Sequence, residues 1–454
     1  MELEVARKRC LDCLINSIEQ LQGRSEPDRL EHIAELIILS MSGPWRYFHT
    51  PEHIFEVGGS IDPTEVLAAL FHDLVYVQVD HGVNLNISTY ISPFVQEQDG
   101  QLTIRELDSL PNSSMFQLVS AIFGFSPGQS LSPFSGQNEF LSALIAANIL
   151  EPFLDIHRIT EIAACIEATI PFRPPTASGL TASDLLYQRL LGVNAQFNLG
   201  WSEEQFVQMV KRAVRLANRD VENFAFSNST DFLDNTWNLM PETNQELINA
   251  NSYTVAGYRK SLQKMEGFMN FLNPELVFQR FRGEPDEETY AALVARTRKN
   301  LEVAKLYLGI KLVTIAILEA LSYRLGRDIP VSTMMGELPA PGRKSPILEQ
   351  FLPDVPMASP PKNALEQEVL DLLSKGRNRE SVYDIKNSPV STFIIKSVGF
   401  SAMEHLLKRS KDFFAGKIES ETFLRECDAT VVNKILEGVA QLFDSRKAAL
   451  HKAG

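Results

Sequence analysis

Apolar residues recur at three- and four-residue intervals along almost the whole chain, and strict alternation is scarce, so the pattern predicts an almost entirely α-helical protein. Residues 4–41 read as two helices separated by the turn-forming Ser25-Glu26-Pro27-Asp28. Thr50-Pro51 supply N-cap and first-turn residues for a very short helix, which Gly58-Gly59 close. Asp62-Pro63-Thr64-Glu65 then open a strongly apolar helix, VLAALFHDLVYV, with Asp62 as N-cap and Glu65 placed for a capping box. The Gly-, Ser- and Pro-rich stretch 124–137 predicts a loop. Ser202-x-x-Gln205 predicts another helix start, followed by Phe206, Val210, Ala213, Val214, Ala217, Val221 and Phe224 on one face. A long helix near 288–325 carries Leu301, Ala304, Leu308, Leu312 and Ile315 at helical spacing and stops at Gly326 and Pro330.

These elements suggest a helical domain over 1–230, a helical extension packing on it over 231–335, a Pro-rich linker at 336–363 and a C-terminal helical domain over 364–454. The Met- and Phe-rich run GFMNFLNPELVFQRF within the extension reads as packing surface. The C-terminal helices, with LLKRSKDFFAGK and SRKAALHK, carry mixed charge and offer a surface for homo-oligomerisation. Hydrophobic content of 44% against 22% charged residues fits a folded globular chain and argues against wholesale disorder. The formal net charge of −14 argues against a general nucleic-acid or anionic-membrane binder. Four cysteines in 454 residues make no disulfide framework, and the N-terminus lacks an apolar leader, so the expectation is a cytoplasmic protein with no membrane span. Cys10-x-x-Cys13 has no second pair nearby and reads as structural.

Only eight histidines occur, and three of them fall between residues 49 and 72, which focuses the search for chemistry. His49 and His53 flank a helix start, where the helix dipole disfavours imidazolium and a neutral, ligating ring is reasonable. His72 and Asp73 are adjacent within the apolar helix, and burying them there is costly unless something compensates. A divalent cation does so by taking imidazole nitrogen and carboxylate oxygen together; an ordinary hydrogen-bonded pair is the plainer alternative.

Tyr47-Phe48-His49-Thr50-Pro51-Glu52-His53, followed by Phe71-His72-Asp73-Leu74-Val75-Tyr76, resembles the HD superfamily of metal-dependent phosphohydrolases. It is most similar to the small HD phosphohydrolases with YHxxxH and FHDxVY motifs, over roughly residues 30–230. The resemblance implies an all-α HD-domain helical bundle. It also implies one divalent ion (Mn, Mg, Fe, Co, Ni or Zn) held by His53, His72, Asp73 and a downstream Asp. The candidate for that last ligand is Asp220, which the helical wheel puts about 40° from Phe224 and about 20° from Ala213. Asn218 stands where the family often has Asp, and the choice between the two is open at this point. By the same resemblance His49 faces substrate and protonates a leaving group; the mechanism that follows from these ligands has Asp73 orient the attacking water. Arg46 and Arg173 are candidate phosphate clamps, or equally surface charges. Asp80-His81-Gly82 is wrongly spaced for a second metal, and Phe172-Arg173 replace a further family histidine, so a single ion is expected. The function implied is hydrolysis of a phosphate ester such as a nucleotide or a phosphodiester. The alternatives are a catalytically degenerate HD module that binds a nucleotide or protein partner, and, further off, a di-iron oxygenase on the same fold.

Overall fold

The computed structural model describes residues 1–98, 100–249, 252–338 and 346–442. The fold is all-α, with one two-stranded antiparallel hairpin among the described residues. The chain divides into two compact units, each built from two segments: Met1–Ala225 with Asn273–Ala295, and Phe226–Leu272 with Arg296–Gly454.

The first unit comprises α1 (Leu3–Gln20), α2 (Pro27–Met41), α3 (Pro51–Gly58), α4 (Pro63–His72), α5 (Val77–Asp80) and α6 (Leu85–Ile91). The hairpin β1 (Val95–Gln98) and β2 (Gln101–Ile104) follows, with Val95 opposite Ile104. Next come α7 (Ser114–Phe123), α8 (Gln137–Leu150), α9 (Ile156–Ala168), α10 (Ala182–Phe197) and α11 (Glu203–Asp220). At the centre is α4, packed against α1, α3, α8 and α9, and every residue from Thr64 to His72 is buried. A helix apolar all round belongs in that position. Its start is set by Asp62, whose carboxylate accepts from the backbone N–H groups of Thr64 (3.0 Å) and Glu65 (3.3 Å). Glu65 does not close the anticipated capping box; its buried carboxylate is taken by Arg215 and Arg219 instead.

Those arginines belong to a stripe at helical spacing along α11, which lays that helix against α3 and α4. Arg212 Nε meets Asp62 at 2.7 Å, Arg215 Nε meets Glu65 at 3.0 Å, and Arg219 Nε donates to the Val57 carbonyl at 2.7 Å. The start of α11 is the predicted capping box of Ser202 and Gln205. Close approach of α3 to α4 depends on Gly58, where a Cβ would stand 3.3 Å from that of Ala69; Gly59, at φ 62°, then ends α3.

The second unit contains α12 (Ser229–Thr243), α13 (Val255–Phe271) and most of the long α14 (Glu287–Ser322). It continues through α15 (Val331–Met335), α16 (Ala364–Lys375), α17 (Pro389–Val398), α18 (Phe400–Phe414), α19 (Ser420–Glu426) and α20 (Ala429–Leu442). Trp237, Tyr307 and Tyr383 are its largest fully buried side chains. No described helix is long and apolar enough to cross a membrane.

This division differs from the boundaries expected at 230, 335 and 363. Residues 273–295 return to the first unit, so the expected 231–335 extension is not one body. Its Met- and Phe-rich run is broken at Leu272: Phe271 is exposed, while Phe278 and Phe281 are buried with the first unit. The expected linker is part of the second unit. Within it Leu348–Phe351 forms a 3-10 turn packed on α20, where Gly438 leaves room for Leu348. Residues 339–345, and the SRKAALHK segment at 445–452, lie outside the described residues.

Candidate metal centre

Four side chains from three elements converge in the first unit. His53 comes from the first turn of α3, His72 ends α4, Asp73 follows it, and Asp220 ends α11. One donor atom from each lies within 4.8 Å of the others, and no second such group occurs among the described residues. His53 Nε2 is 3.1 Å from Asp220 Oδ1 and 3.4 Å from Asp73 Oδ2. His72 Nε2 is 3.0 Å from Asp73 Oδ2 and 3.3 Å from Asp220 Oδ1.

The doublet was expected inside a helix, and here the structure corrects the sequence. The helix stops at His72, and Asp73 (φ −107°, ψ 17°) already leaves it. Arg46 accounts for the stop: Nη1 donates to the Asp73 carbonyl at 2.7 Å and Nη2 to the Leu74 carbonyl at 3.2 Å, taking acceptors that a further turn would use. The rest of that guanidinium is bound bidentately by Asp80, at 2.7 and 3.1 Å, and the side chain is wholly buried. Arg46 is therefore neither a phosphate clamp nor a surface charge; it braces the backbone that presents Asp73. Arg173 is likewise turned inward, both terminal nitrogens engaging the buried Glu167, which Arg189 also contacts.

At the fourth position Asp220 stands in the cluster, whereas the Asn218 amide is committed to the Gln279 backbone, donating to its carbonyl (2.9 Å) and accepting from its N–H (2.7 Å). His81 is an exposed residue in the left-handed conformation that caps α5. His157 sits in the first turn of α9 against the Leu199 carbonyl, 3.0 Å away. Neither reaches the cluster. His49 packs edge-on to Tyr76 (ring centroids 4.5 Å apart) and to His53 (5.7 Å), close enough for its charge to help hold Asp73 ionised.

Without a cation the four groups satisfy one another with protons. Burial opposes charge on His53, but hydrogen bonding and proximity to Asp220 and Asp73 outweigh it and hold the ring at about 9. This reverses the expectation from the helix dipole, which two carboxylates at contact range overwhelm. His72 is raised well above its ordinary value on the same balance of burial against Asp73 and Asp220. For the carboxylates burial works upward, yet the imidazoles prevail. His72 foremost takes Asp73 well below its usual range, and His72 with His53 holds Asp220 at about 2.

The donor set fits a cation, and His72 is the test. Its Nδ1 lies 2.8 Å from the Ala69 carbonyl, which can only accept, so Nδ1 carries the proton. Nε2 is buried, faces both Asp73 and Asp220, and makes no well-directed hydrogen bond. A ring nitrogen set between two carboxylates calls for a positive species there, a proton or a cation, and a backbone-anchored Nδ1–H is the usual support of a metal-ligating histidine.

One residue of this region escaped the sequence reading. Glu139, in the first turn of α8, is pushed up to about 7 chiefly by burial, and the Asp73 and Asp220 carboxylates add to the shift. Its available signal was chemical rather than periodic: a lone acid opening the apolar helix that follows the 124–137 loop. Searches of protein-family profiles, curated proteins and solved structures found no match for the chain.

Proposed function

We propose that the chain is a metal-dependent phosphohydrolase of the HD type, cleaving a phosphate ester, of a nucleotide or a phosphodiester, with one divalent cation on His53, His72, Asp73 and Asp220. The observation that carries this reading is the buried Nε2 of His72, set between two ionised carboxylates with no well-directed hydrogen bond to either. When bound, such a cation acidifies water and offsets charge developing on phosphorus. The chain supplies the remaining work. Asp73 turns an oxygen toward the attacking water, its backbone fixed by Arg46. His49, edge-on to His53 and to the Tyr76 ring, delivers a proton to the departing oxygen.

A second reading is favoured by one observation: Arg46 and Arg173, the two expected phosphate clamps, spend their terminal nitrogens inside the protein. On that reading the module holds a cation and a nucleotide or protein partner without turnover.

Elemental analysis of protein purified without chelator, paired with a panel of phosphomonoesters and phosphodiesters, tests both. One equivalent of Mn, Mg, Fe, Co, Ni or Zn with turnover, both lost in Asp73→Ala, is the result expected. A bound ion with no hydrolysis of any phosphate compound selects the binding module. Absence of any ion, with Asp73→Ala indistinguishable from the parent, overturns the site.

A further inference from the structure

Glu139 lies on the turn of α8 that packs on the chain leaving Asp73, and one of its carboxylate oxygens has no partner. Its neighbours on α8 fix its place. Asn138 Oδ1 accepts from the Val77 N–H at 3.2 Å, and Asn138 Nδ2 donates to Gln78 Oε1 at 2.8 Å. Ser142 Oγ accepts from the Val75 N–H at 3.1 Å. The turn bearing Glu139 is thus pinned to the backbone that leaves Asp73. Glu139's own N–H satisfies part of its carboxylate, but Oε2 is buried and has no partner. An orphaned buried acceptor of this kind is costly, and a water molecule is the ordinary remedy. Glu139 is not one of the donors that lie within 4.8 Å of one another, yet Asp73 and Asp220 both act on its charge. On a turn pinned to the chain that leaves Asp73, Glu139 is a neighbour of the four donors and not one of them, with water as the natural link.

Resting on the phosphohydrolase reading above, we propose that Glu139 is the general base of this site, its Oε2 accepting a hydrogen bond from the attacking water and then its proton. The step balances as follows. The water O–H bond breaks and its proton passes to Glu139 Oε2, while the water oxygen forms a bond to phosphorus. The ester P–O bond breaks, its electron pair leaves on the departing oxygen, and that oxygen takes the proton of His49 in its imidazolium form. Glu139 and His49 exchange protons with solvent before the next turnover. The base therefore comes from a helix remote in sequence from the His72-Asp73 doublet.

Glu139→Gln, in the full chain, is the decisive variant, read with Mn2+ calorimetry and with p-nitrophenyl phosphate and bis(p-nitrophenyl) phosphate as substrates. Mn2+ stoichiometry and Kd are expected to stay within about threefold of the parent, because Glu139 is not a ligand. In the same protein kcat should fall about 100-fold or more with KM little changed, the loss typical of a general base. Glu139→Asp, which keeps a carboxyl and withdraws it, should bind Mn2+ equally and recover part of kcat; a residue needed only for packing would give no such recovery. Loss of Mn2+ from either variant makes Glu139 a ligand and overturns the proposal, as does an undiminished kcat in Glu139→Gln. If the parent itself neither binds Mn2+ nor turns over, the phosphohydrolase reading falls and takes this one with it; failure confined to the variants overturns this one alone.

Discussion

Two buried polar clusters, one in each unit, solve the same electrostatic problem in opposite ways. In the second unit Asp384 Oδ2 is met by Lys311 Nζ at 2.8 Å, by the Tyr258 hydroxyl at 2.9 Å and by Trp237 Nε1 at 3.0 Å, with Arg377 at 3.7 Å. The two cations lie over the Trp237 ring, Arg377 at 4.3 Å and Lys311 at 5.2 Å. That carboxylate is closed: permanent charges and aromatic faces complete it from within the chain. The first-unit cluster buries two carboxylates against imidazoles alone and leaves His72 Nε2 without a proper partner. Acids paired with Lys and Arg build structure. Acids paired only with rings that can give up their protons leave a place for a cation.

The sharpest way to break this contrast is to mutate both clusters and read both outputs. His72→Ala should abolish the stabilisation that Mn2+ confers on the parent, about 2.7 kcal/mol at one hundred times Kd, as measured by chemical denaturation with and without the ion. Asp384→Ala should leave that increment intact while lowering metal-free stability by about 3–5 kcal/mol, because Lys311 is left buried without its carboxylate and Arg377 keeps only Asp234, at 3.6 Å. If Asp384→Ala costs nothing, or removes the Mn2+ effect, the two clusters are not of different kinds.

A smaller effect separates the ligands from what holds them. Arg46→Gln leaves all four ligands in place but removes the brace on the Asp73 and Leu74 carbonyls and strands Asp80. Mn2+ affinity, followed by calorimetry, should drop about 10- to 100-fold, the range for a group that orients a ligand. An unchanged Kd would mean that Asp73 is positioned without Arg46.

Much of the first unit was legible because local chemistry and tertiary role coincide there. Asp62, Pro63, Ser202 and Gln205 are helix-start residues by virtue of their own side chains, and they start helices here. His72 and Asp73 stood out as a costly pair in an apolar helix, His53 and Asp220 through the resemblance to HD phosphohydrolases, which left Asn218 open beside Asp220; the structure brings the four together. What could not be read was set by long-range partners. A guanidinium near a suspected phosphate site looks the same on paper whether it faces ligand or backbone, and Arg46 faces backbone. The turn of α8 that holds Glu139 is gripped by Val75 and Val77, a contact between segments more than 60 residues apart. The return of 273–295 to the first unit is equally nonlocal: Asn218 holds Gln279 by its backbone, and nothing in the composition of either segment announces the pairing.

A last effect, of pH rather than of mutation, most directly distinguishes proton from cation in the cluster. In the metal-free protein His53 is held at about 9, above its ordinary 6.5, so its contribution to stability is complete below about 6.5 and is lost as pH rises through 9. Asp220, held at about 2 against an ordinary 3.8, contributes above about 4 and loses that contribution only as pH falls through 2. The metal-free cluster is therefore most stabilising between about pH 4 and 6.5 and weakens toward pH 9. Cation binding must run the other way over the upper part of this range, since His53 and His72 have to release protons to coordinate. Mn2+ affinity should rise with pH between 6 and 8, by about tenfold per unit for each proton displaced. Calorimetry in buffers of different ionisation enthalpy should detect those protons directly. Asp384, already paired with fixed charges, contributes no such slope over that range. Mn2+ affinity that stays flat from pH 6 to 8 would show that the imidazoles are not the groups being displaced, and the distinction between an open and a closed acidic cluster would fail at its chemical root.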